Sequence, residues 1–323
     1  MGVLRSPGRP ISAVDAREVP SMDITALLAE QKLILMEAAI VEPLRRVEGV
    51  TLHPSLVHAP LIYDEMGKSR LRKLYQDYID VAAAVELPFL MATPTWRTNY
   101  ERVLESRLDT RINLDTVRFL QKIRDARRRS EASAYIGGII GCKNDCYRPE
   151  EGLSAADAEQ FHAWQISELA RAGVDFLIAE TLPRVEEAVG IAAAMEKTER
   201  PYFISFVINR RGRVLDGTGL TEAIGIIDAA TRRPPLGYMV NCAYPTFLCA
   251  DEQPAELFER LVGYLGNASS LDHCDLDGSE HLQTESIAEW GDEMLALHRR
   301  HGIKILGGCC GTGVEHLKYI VSH

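Results

Sequence analysis

Two adjacent cysteines, Cys309 and Cys310, lie between glycines in the segment GGCCGTG of the 323-residue chain. Neighbouring cysteines can hardly form an ordinary disulfide with each other. The glycines around them favour close approach of the backbone rather than the filling of a core. The pair therefore indicates a metal-binding or redox-active site, although a single free cysteine is more often just a small buried apolar residue.

A third cysteine, Cys242, ends a separate apolar run, LGYMVNCA, that is typical of a buried strand. In a closed barrel, this strand end would lie close to the end that carries Cys309 and Cys310. Three converging thiolates form a soft-metal site, and Zn²⁺ is its commonest occupant. Three protein ligands leave one tetrahedral position open, which is typical of catalytic zinc. A thiol that entered this position would lose its proton and become a nucleophile, so the pattern predicts thiol alkylation.

Polar side chains also end several of the other predicted strands. In a barrel of parallel strands, the active-site residues gather where the strands end and the following loops begin. The candidates at those ends are Thr93, Thr95, Trp96, Cys142, Glu180, Thr181 and Asn241.

Eight apolar runs alternate with amphipathic segments, which indicates parallel strands that are buried on both faces. Eight such units in about 300 residues predict an α/β fold, a single-domain (β/α)8 TIM barrel over residues 26–323. A doubly wound open sheet is the alternative, but no glycine-rich dinucleotide fingerprint follows the first run. The runs are residues 32–40, 87–95, 133–141, 174–181, 201–209, 236–243, 260–269 (the weakest) and 302–308.

Helix signals lie between these runs. Ser154 and Gly173 predict the start and the stop of one helix, because serine is a common N-cap and glycine a common C-terminal stop. The spacing from Thr312 to Glu315 predicts a capping box at the start of the last helix. Residues 1–25 lack periodicity and are predicted to form a flexible arm.

The composition limits the partners. A formal net charge of −10 without an offsetting basic stretch argues against nucleic acid and anionic membranes. No apolar stretch reaches the length of a membrane span. Seven cysteines, an odd number at irregular spacing without a secretory signal, predict a reducing compartment and hence the cytoplasm. A homo-oligomer remains possible.

The segments GGCCGTGVEHLKYI and GYMVNCAYP resemble the zinc-dependent homocysteine S-methyltransferase family, which includes betaine- and S-methylmethionine-dependent enzymes. Residues 161–188 and 215–224 are similar to further segments of the same family, so that the resemblance extends from roughly residue 30 onward. It implies a (β/α)8 barrel that holds Zn²⁺ on Cys242, Cys309 and Cys310.

The resemblance also implies that Glu180 and Thr181 hold the amino acid end of homocysteine. A carboxylate at this place can accept charge-assisted hydrogen bonds from the ammonium group of the substrate. Together with the strand-end candidates, the predicted substrate-binding residues are Glu37, Thr95, Trp96, Glu180, Thr181 and Asn241.

The sequence departs from the family pattern at the ends of the first two strands. Glu37 and Ala38 stand where members usually carry Asp-Gly, and TPTWRTN replaces a segment that often reads Thr-Asn-Thr-Tyr. Trp96 beside a sulfonium or quaternary ammonium donor would suit cation–π recognition, and it would equally suit a wall of the barrel. The cysteines of CKNDC, Cys142 and Cys146, are expected to have no metal-binding role.

The first functional hypothesis is a zinc-dependent S-methyltransferase. It would transfer a methyl group from a small onium donor, of the S-methylmethionine, S-adenosylmethionine or betaine type, to homocysteine and give methionine. One alternative is a methyltransferase or demethylase that uses a different thiol or an unusual methylated donor. Another is a non-catalytic barrel that binds zinc and thiols without turnover.

Overall fold

The computed structural model describes residues 23–127, 133–271 and 284–323. Its centre is a closed barrel of eight parallel strands in chain order, in which β1 pairs with both β2 and β8. The eight predicted strands are all present, and the (β/α)8 TIM barrel is confirmed. The strands are β1 Ile34–Met36, β2 Phe89–Ala92, β3 Ala134–Gly141, β4 Phe176–Leu182, β5 Tyr202–Phe206, β6 Gly237–Ala243, β7 Leu261–Gly266 and β8 Ile305–Gly308.

Helices cover the outside of the barrel. The longer ones carry one apolar face, which packs against the strands, as in the helix that begins after Ser154 and ends at Gly173. The Ser154 side chain accepts a hydrogen bond from the Asp157 N–H, and Gly173 has a φ of 87°, so both predicted signals are confirmed. The described helices are α1 Ile24–Glu30, α2 Val41–Arg45, α3 Glu65–Ala83, α4 Tyr100–Ser106, α5 Ile112–Asp125, α6 Ala155–Ala172, α7 Val185–Glu196, α8 Leu220–Ala230, α9 Leu257–Arg260, α10 Ile287–His301 and α11 Val314–Ser322.

Two layers of apolar side chains form the core. The larger layer lies between the strands and the surrounding helices. The smaller one fills the barrel with side chains such as Phe176, Phe203 and Met239, and α1 adds Leu27 to it. The Lys304 ammonium, just before β8, donates a 2.8 Å hydrogen bond to the Leu28 carbonyl. Helix α1 therefore closes the amino-terminal end of the barrel and leaves the opposite end open for chemistry.

The apolar runs predicted for β2, β5, β7 and β8 extend beyond these strands at one or both ends, and two further local predictions need correction. The first strand is much shorter than residues 32–40, because the backbone turns after Glu37 into α2. The last helix is capped by Gly313 rather than Thr312. The Thr312 hydroxyl instead donates to the Cys309 carbonyl at 2.6 Å, which ties the helix start to the cysteine pair.

Residues 1–22 of the predicted arm lie outside the described part of the chain. The Asp23 side chain accepts a hydrogen bond from the Ala26 N–H and caps α1, so ordered structure begins just before the predicted boundary. Among the described helices, none combines the length and the apolarity needed to cross a membrane.

Candidate active site and metal centre

The three predicted metal-binding cysteines meet at the open end of the barrel. The Sγ atoms of Cys242, Cys309 and Cys310 all lie within 4.8 Å of one another. Cys242 and Cys309 are paired as a disulfide with their Cα atoms 5.4 Å apart, and Cys310 is an exposed free thiol. Zinc binds thiolates, so these sulfurs fit a Zn²⁺ ion as a three-ligand set once the pair is reduced. The vicinal pair itself forms no disulfide.

The backbone around Cys310 is held by side chains from two other parts of the barrel rim. The Cys310 N–H donates a 3.1 Å hydrogen bond to Asn267 Oδ1, just after β7. The next N–H, of Gly311, donates to the Glu42 carboxylate on α2. Asn267 directly follows β7, which corresponds to the weakest of the eight predicted runs. The sequence pattern therefore did not indicate Asn267 as a strand-end residue. Glu42 had no sequence signal of its own.

The strands that carry the site leave regular geometry at the functional residues. Thr181 on β4 and Cys242 on β6 have φ values of 58° and 55°, in the left-handed region that non-glycine residues seldom adopt. The pairing register shifts at the same two places. Side chains normally alternate between the two faces of a strand, and these irregularities let consecutive residues serve the same site.

Asn241 links the two irregular strands. Its Oδ1 accepts a 2.9 Å hydrogen bond from the Thr181 N–H and a 2.7 Å hydrogen bond from the Ser205 hydroxyl. Its Nδ2 donates to Cys242 Sγ at 3.5 Å. Asn241 is fully buried. The structure therefore places Asn241, a predicted substrate-binding residue, in the buried wall of the site, in contact with the Cys242 sulfur.

Glu180 offers an unsatisfied acceptor to the site. Its side chain is only 9% exposed, and Oε1 is buried without a hydrogen-bond partner among the residues that the structure describes. Burial raises the pKa of Glu180 to about 7. A buried carboxyl group without a protein partner is costly unless a ligand completes its hydrogen bonds.

Glu37 has a protein partner and a different electrostatic state. Its carboxyl group accepts a 2.7 Å hydrogen bond from the Ala92 N–H at the end of β2. Burial raises the pKa of Glu37 well above its usual range; the Ala92 hydrogen bond opposes this, and the Glu180 charge adds to it. Burial thus favours the neutral form of the Glu37 carboxyl group, whereas Glu180 is poised between its two states near neutral pH.

Trp96 lies against Thr181, whereas Thr95 faces away from the site. The indole Nε1 of Trp96 donates a 2.8 Å hydrogen bond to the Thr181 hydroxyl. The guanidinium of Arg97 covers one face of the indole ring, 3.9 Å from its centroid, so that face is closed to an onium donor. The Thr95 hydroxyl is fully buried and bonded to the Ile139 carbonyl, which makes it part of the barrel wall.

A glycine on β3 permits the position of Trp96. A Cβ atom at Gly141 would lie 2.5 Å from the Trp96 carbonyl oxygen and 2.6 Å from its ring. The next residue, Cys142, and the nearby Cys146 are both buried. Burial raises the pKa of the Cys142 thiol to about 12 and that of Cys146 further still. Neither belongs to the three-sulfur group of Cys242, Cys309 and Cys310.

The sequence profile of the homocysteine S-methyltransferase family matches residues 30–323. The chain belongs to this family. It is therefore a methyltransferase of the homocysteine S-methyltransferase family, and a divergent one. "Homocysteine S-methyltransferase YbgG" of Bacillus subtilis is 22% identical over 320 residues, which are 93% of this chain and 96% of that protein. "S-methylmethionine--homocysteine S-methyltransferase BHMT2" of Pongo abelii is 26% identical, over 59% of this chain and 54% of that protein.

Solved structures show the same fold for this family member. The homocysteine methyltransferase MmuM from Escherichia coli in its oxidised form superposes with a TM-score of 0.72 at 20% identity. Its metallated form gives 0.71 at 19% identity. Each comparison covers 92% of this chain and 98% of the Escherichia coli chain.

Proposed function

We propose that the protein is a zinc-dependent S-methyltransferase that uses a small onium donor to methylate homocysteine and gives methionine. The donor would be of the S-methylmethionine, S-adenosylmethionine or betaine type. The observation that carries the proposal is the convergence of three cysteine sulfurs within 4.8 Å at the open end of the barrel. The names of the relatives support homocysteine as the acceptor. The cysteine content supports a cytoplasmic enzyme.

Each residue of the proposed site would have a separate role in the reaction. Zn²⁺, when bound by Cys242, Cys309 and Cys310, would favour loss of the proton from the acceptor thiol at neutral pH. Glu180, whose Oε1 lacks a partner among the described residues, would bind the substrate ammonium. Asn241 would hold Cys242 in position through its 3.5 Å hydrogen bond to the sulfur.

The transfer itself needs alignment more than acid–base help. A bond forms between the acceptor sulfur and the methyl carbon while the bond from that carbon to the donor sulfur or nitrogen breaks. The donor leaves as a neutral sulfide or amine and takes up no proton. Holding the two reactants in line would therefore supply much of the rate enhancement.

Turnover with labelled donors tests the proposal. The reduced, zinc-loaded protein is incubated with homocysteine and a pool of onium donors, each with a distinguishable isotopic label in its methyl group. Mass spectrometry should then detect labelled methionine from at least one donor. Binding of homocysteine without labelled product from any donor would refute the catalytic proposal and favour a zinc- and thiol-binding barrel.

Zinc content tests the ligand assignment. Cys242→Ala and Cys310→Ala should each lose most of the bound zinc in metal analysis of the reduced protein. Cys249→Ala is the matched control, because Cys249 is a free cysteine outside the three-sulfur group and its loss should leave zinc unchanged. One full equivalent of zinc in both ligand variants would refute the assignment.

A different thiol acceptor or an unusual methylated donor is a second candidate. It is favoured by the end of β1, where Glu37 and Ala38 replace the Asp-Gly of the family and the Glu37 carboxyl group bonds to the Ala92 N–H. The same labelling experiment with a panel of thiols separates the two. Methylation of another thiol in preference to homocysteine would favour this candidate.

A further inference from the structure

Arg97 is a buried cation that forms no ion pair among the residues that the structure describes. Its side chain is 9% exposed, and its guanidinium stacks on the Trp96 ring. Nη1 donates hydrogen bonds to the carbonyl oxygens of Cys142 at 2.8 Å and Asn144 at 2.7 Å. Within the part of the chain that the structure describes, Arg97 forms no ion pair with a carboxylate. A buried charge that lacks an opposite charge destabilises a fold, and this favours a functional reason for its presence.

The surroundings of Arg97 add positive charge rather than balance it. Arg102 donates to the Lys143 carbonyl at 3.3 Å, and Arg97 Nη1 approaches the same oxygen at 3.4 Å. Burial and the Arg97 charge together lower the pKa of Arg102. Glu101, an acidic group of this region, pairs with the Lys143 ammonium at 3.3 Å. Asp145, in the same loop, lies 4.0 Å from the Arg148 guanidinium and accepts a 2.9 Å hydrogen bond from the Tyr147 N–H.

Glu187, a further acidic group that contacts this loop, is also engaged in hydrogen bonds. Its Oε1 accepts hydrogen bonds from His162 Nε2 at 3.0 Å and from the Lys143 N–H at 2.8 Å. Its Oε2 accepts one from the Leu153 N–H at 3.3 Å. The Glu187 carboxylate is therefore bonded within its own buried cluster and does not pair with Arg97. The guanidinium of Arg97 keeps its positive charge without an acidic partner in the described part of the chain.

A continuous line of contacts connects Arg97 to the metal site. Trp96, on which the guanidinium stacks, bonds to the Thr181 hydroxyl at 2.8 Å. The Thr181 N–H bonds to Asn241, which in turn bonds to Cys242 Sγ. Glu180 precedes Thr181 in the chain, and its Oε1 atom lacks a hydrogen-bond partner among the described residues. An amino acid carries both an ammonium and a carboxylate, and this line of contacts joins one acidic and one basic side chain, Glu180 and Arg97, through Thr181 and Trp96.

We propose that Arg97 binds the carboxylate of a substrate at the mouth of this barrel and thereby selects substrates that carry one. The inference rests on the proposed function, because it takes the barrel mouth as the place where a thiol and an onium donor bind. Both homocysteine and donors such as S-methylmethionine or betaine carry a carboxylate. The shared chemistry is a charge-assisted, fork-like contact between guanidinium and carboxylate.

The test compares each acid with its neutral carboxamide. Calorimetry measures binding of homocysteine and homocysteine carboxamide, and of S-methylmethionine and its carboxamide, to the reduced, zinc-loaded protein. The native protein should prefer the acid of at least one pair about 10- to 100-fold, as expected for one buried charge-assisted contact. Arg97→Gln, which keeps hydrogen-bond donors but removes the charge, should bring that ratio close to one. Arg97→Lys should give an intermediate ratio.

The matched control is Arg233→Met at the opposite end of the barrel. Arg233 also donates to backbone carbonyl oxygens and lies over an aromatic ring, that of Tyr202 at 5.3 Å. Its loss should leave both acid-to-amide ratios unchanged. The pair whose ratio falls in Arg97→Gln identifies the source of the carboxylate, either the acceptor or the donor.

Three results would overturn the proposal: native ratios near one for both pairs, ratios unchanged in Arg97→Gln, or equal weakening of acid and amide in that variant. The first of these needs no variant, so misfolding of Arg97→Gln would not protect the proposal. Labelled methionine together with an unchanged ratio would refute the role of Arg97 alone. A ratio that depends on Arg97 without any turnover would refute the proposed function alone.

Discussion

Replacement of Glu180 by glutamine should make the substrate-free protein more stable and a poorer binder of homocysteine. Burial raises the pKa of Glu180 from 4.5 to about 7, so folding favours its neutral form. Between these two values the unfolded chain has released the proton and the folded chain keeps it, so the free energy of unfolding falls as the pH rises. At about 1.4 kcal/mol per pKa unit, the loss is on the order of 3 kcal/mol above pH 7.

Glutamine carries no charge at any pH, so the variant does not lose unfolding free energy at this position as the pH rises. Urea denaturation without substrate should therefore show Glu180→Gln to be more stable than the native protein by up to roughly 3 kcal/mol near pH 8.5. The difference should shrink as the pH falls towards 4.5 and vanish below it, where the native carboxyl group is neutral in both the folded and the unfolded state. Above pH 7 the variant should bind homocysteine about 10- to 100-fold more weakly in calorimetry, because it lacks the charge that the ammonium contacts.

Glu187→Gln is the matched control with the opposite sign. Although burial opposes it, hydrogen bonds from His162 and from the Lys143 and Leu153 N–H groups lower the pKa of Glu187. Its ionised form stabilises the fold above the ordinary carboxyl pKa, and this contribution disappears as the pH falls. Glu187→Gln should therefore be destabilised at pH 8.5, where the native carboxyl group is ionised in both the folded and the unfolded state. A Glu180→Gln protein that is less stable than the native one there, or a difference that does not change with pH, would refute the reasoning.

Three further predictions concern the support of the site. Asn241→Ala should lower zinc affinity about 10- to 100-fold in chelator competition, because its amide group orients a metal-site sulfur; unchanged affinity would contradict this. Glu37→Gln should change kcat/KM less than about threefold near neutral pH, since burial favours the neutral form of the native carboxyl group, whereas Glu37→Ala should lose about 1–3 kcal/mol of stability by leaving the Ala92 N–H unpaired. Gly141→Ala should destabilise the protein by about 1–3 kcal/mol and shift Trp96 fluorescence, and native-like values of both would show that the indole can move aside.

The sequence predicted the barrel because its signals are local. Each buried strand is a short apolar run, and each run is separated from the next by a segment with helical periodicity. The first strand was drawn too long because residues 38–40 are apolar like a strand but lead into α2. Ala38 and Ala39 are buried against the barrel but do not take part in the hydrogen bonds between its strands. A pattern of apolar residues is the same for a strand and for such a buried turn.

The site was predictable in part for the same reason. Strand ends are visible in a sequence, so Cys242, Glu180 and Thr181 could be found by position. The supporting contacts depend on side chains that meet only after folding, as when Glu42 on α2 binds the backbone beside the cysteine pair. Arg97 adjoins a predicted residue, Trp96, but the absence of an ion pair to Arg97 in the described part of the chain is a property of the packed molecule alone.

The irregular backbone at Thr181 also makes one amide group unusual. In a regular barrel strand, an N–H is shielded from solvent by a carbonyl of the neighbouring strand. Here the Thr181 N–H is held by the Asn241 side chain. Hydrogen–deuterium exchange at this N–H should therefore depend on rotation of the Asn241 side chain. The backbone hydrogen bonds between the neighbouring strands should exchange only when the barrel itself unfolds. That single amide can report in solution on the order of the network that reaches the cysteines, separately from the stability of the fold.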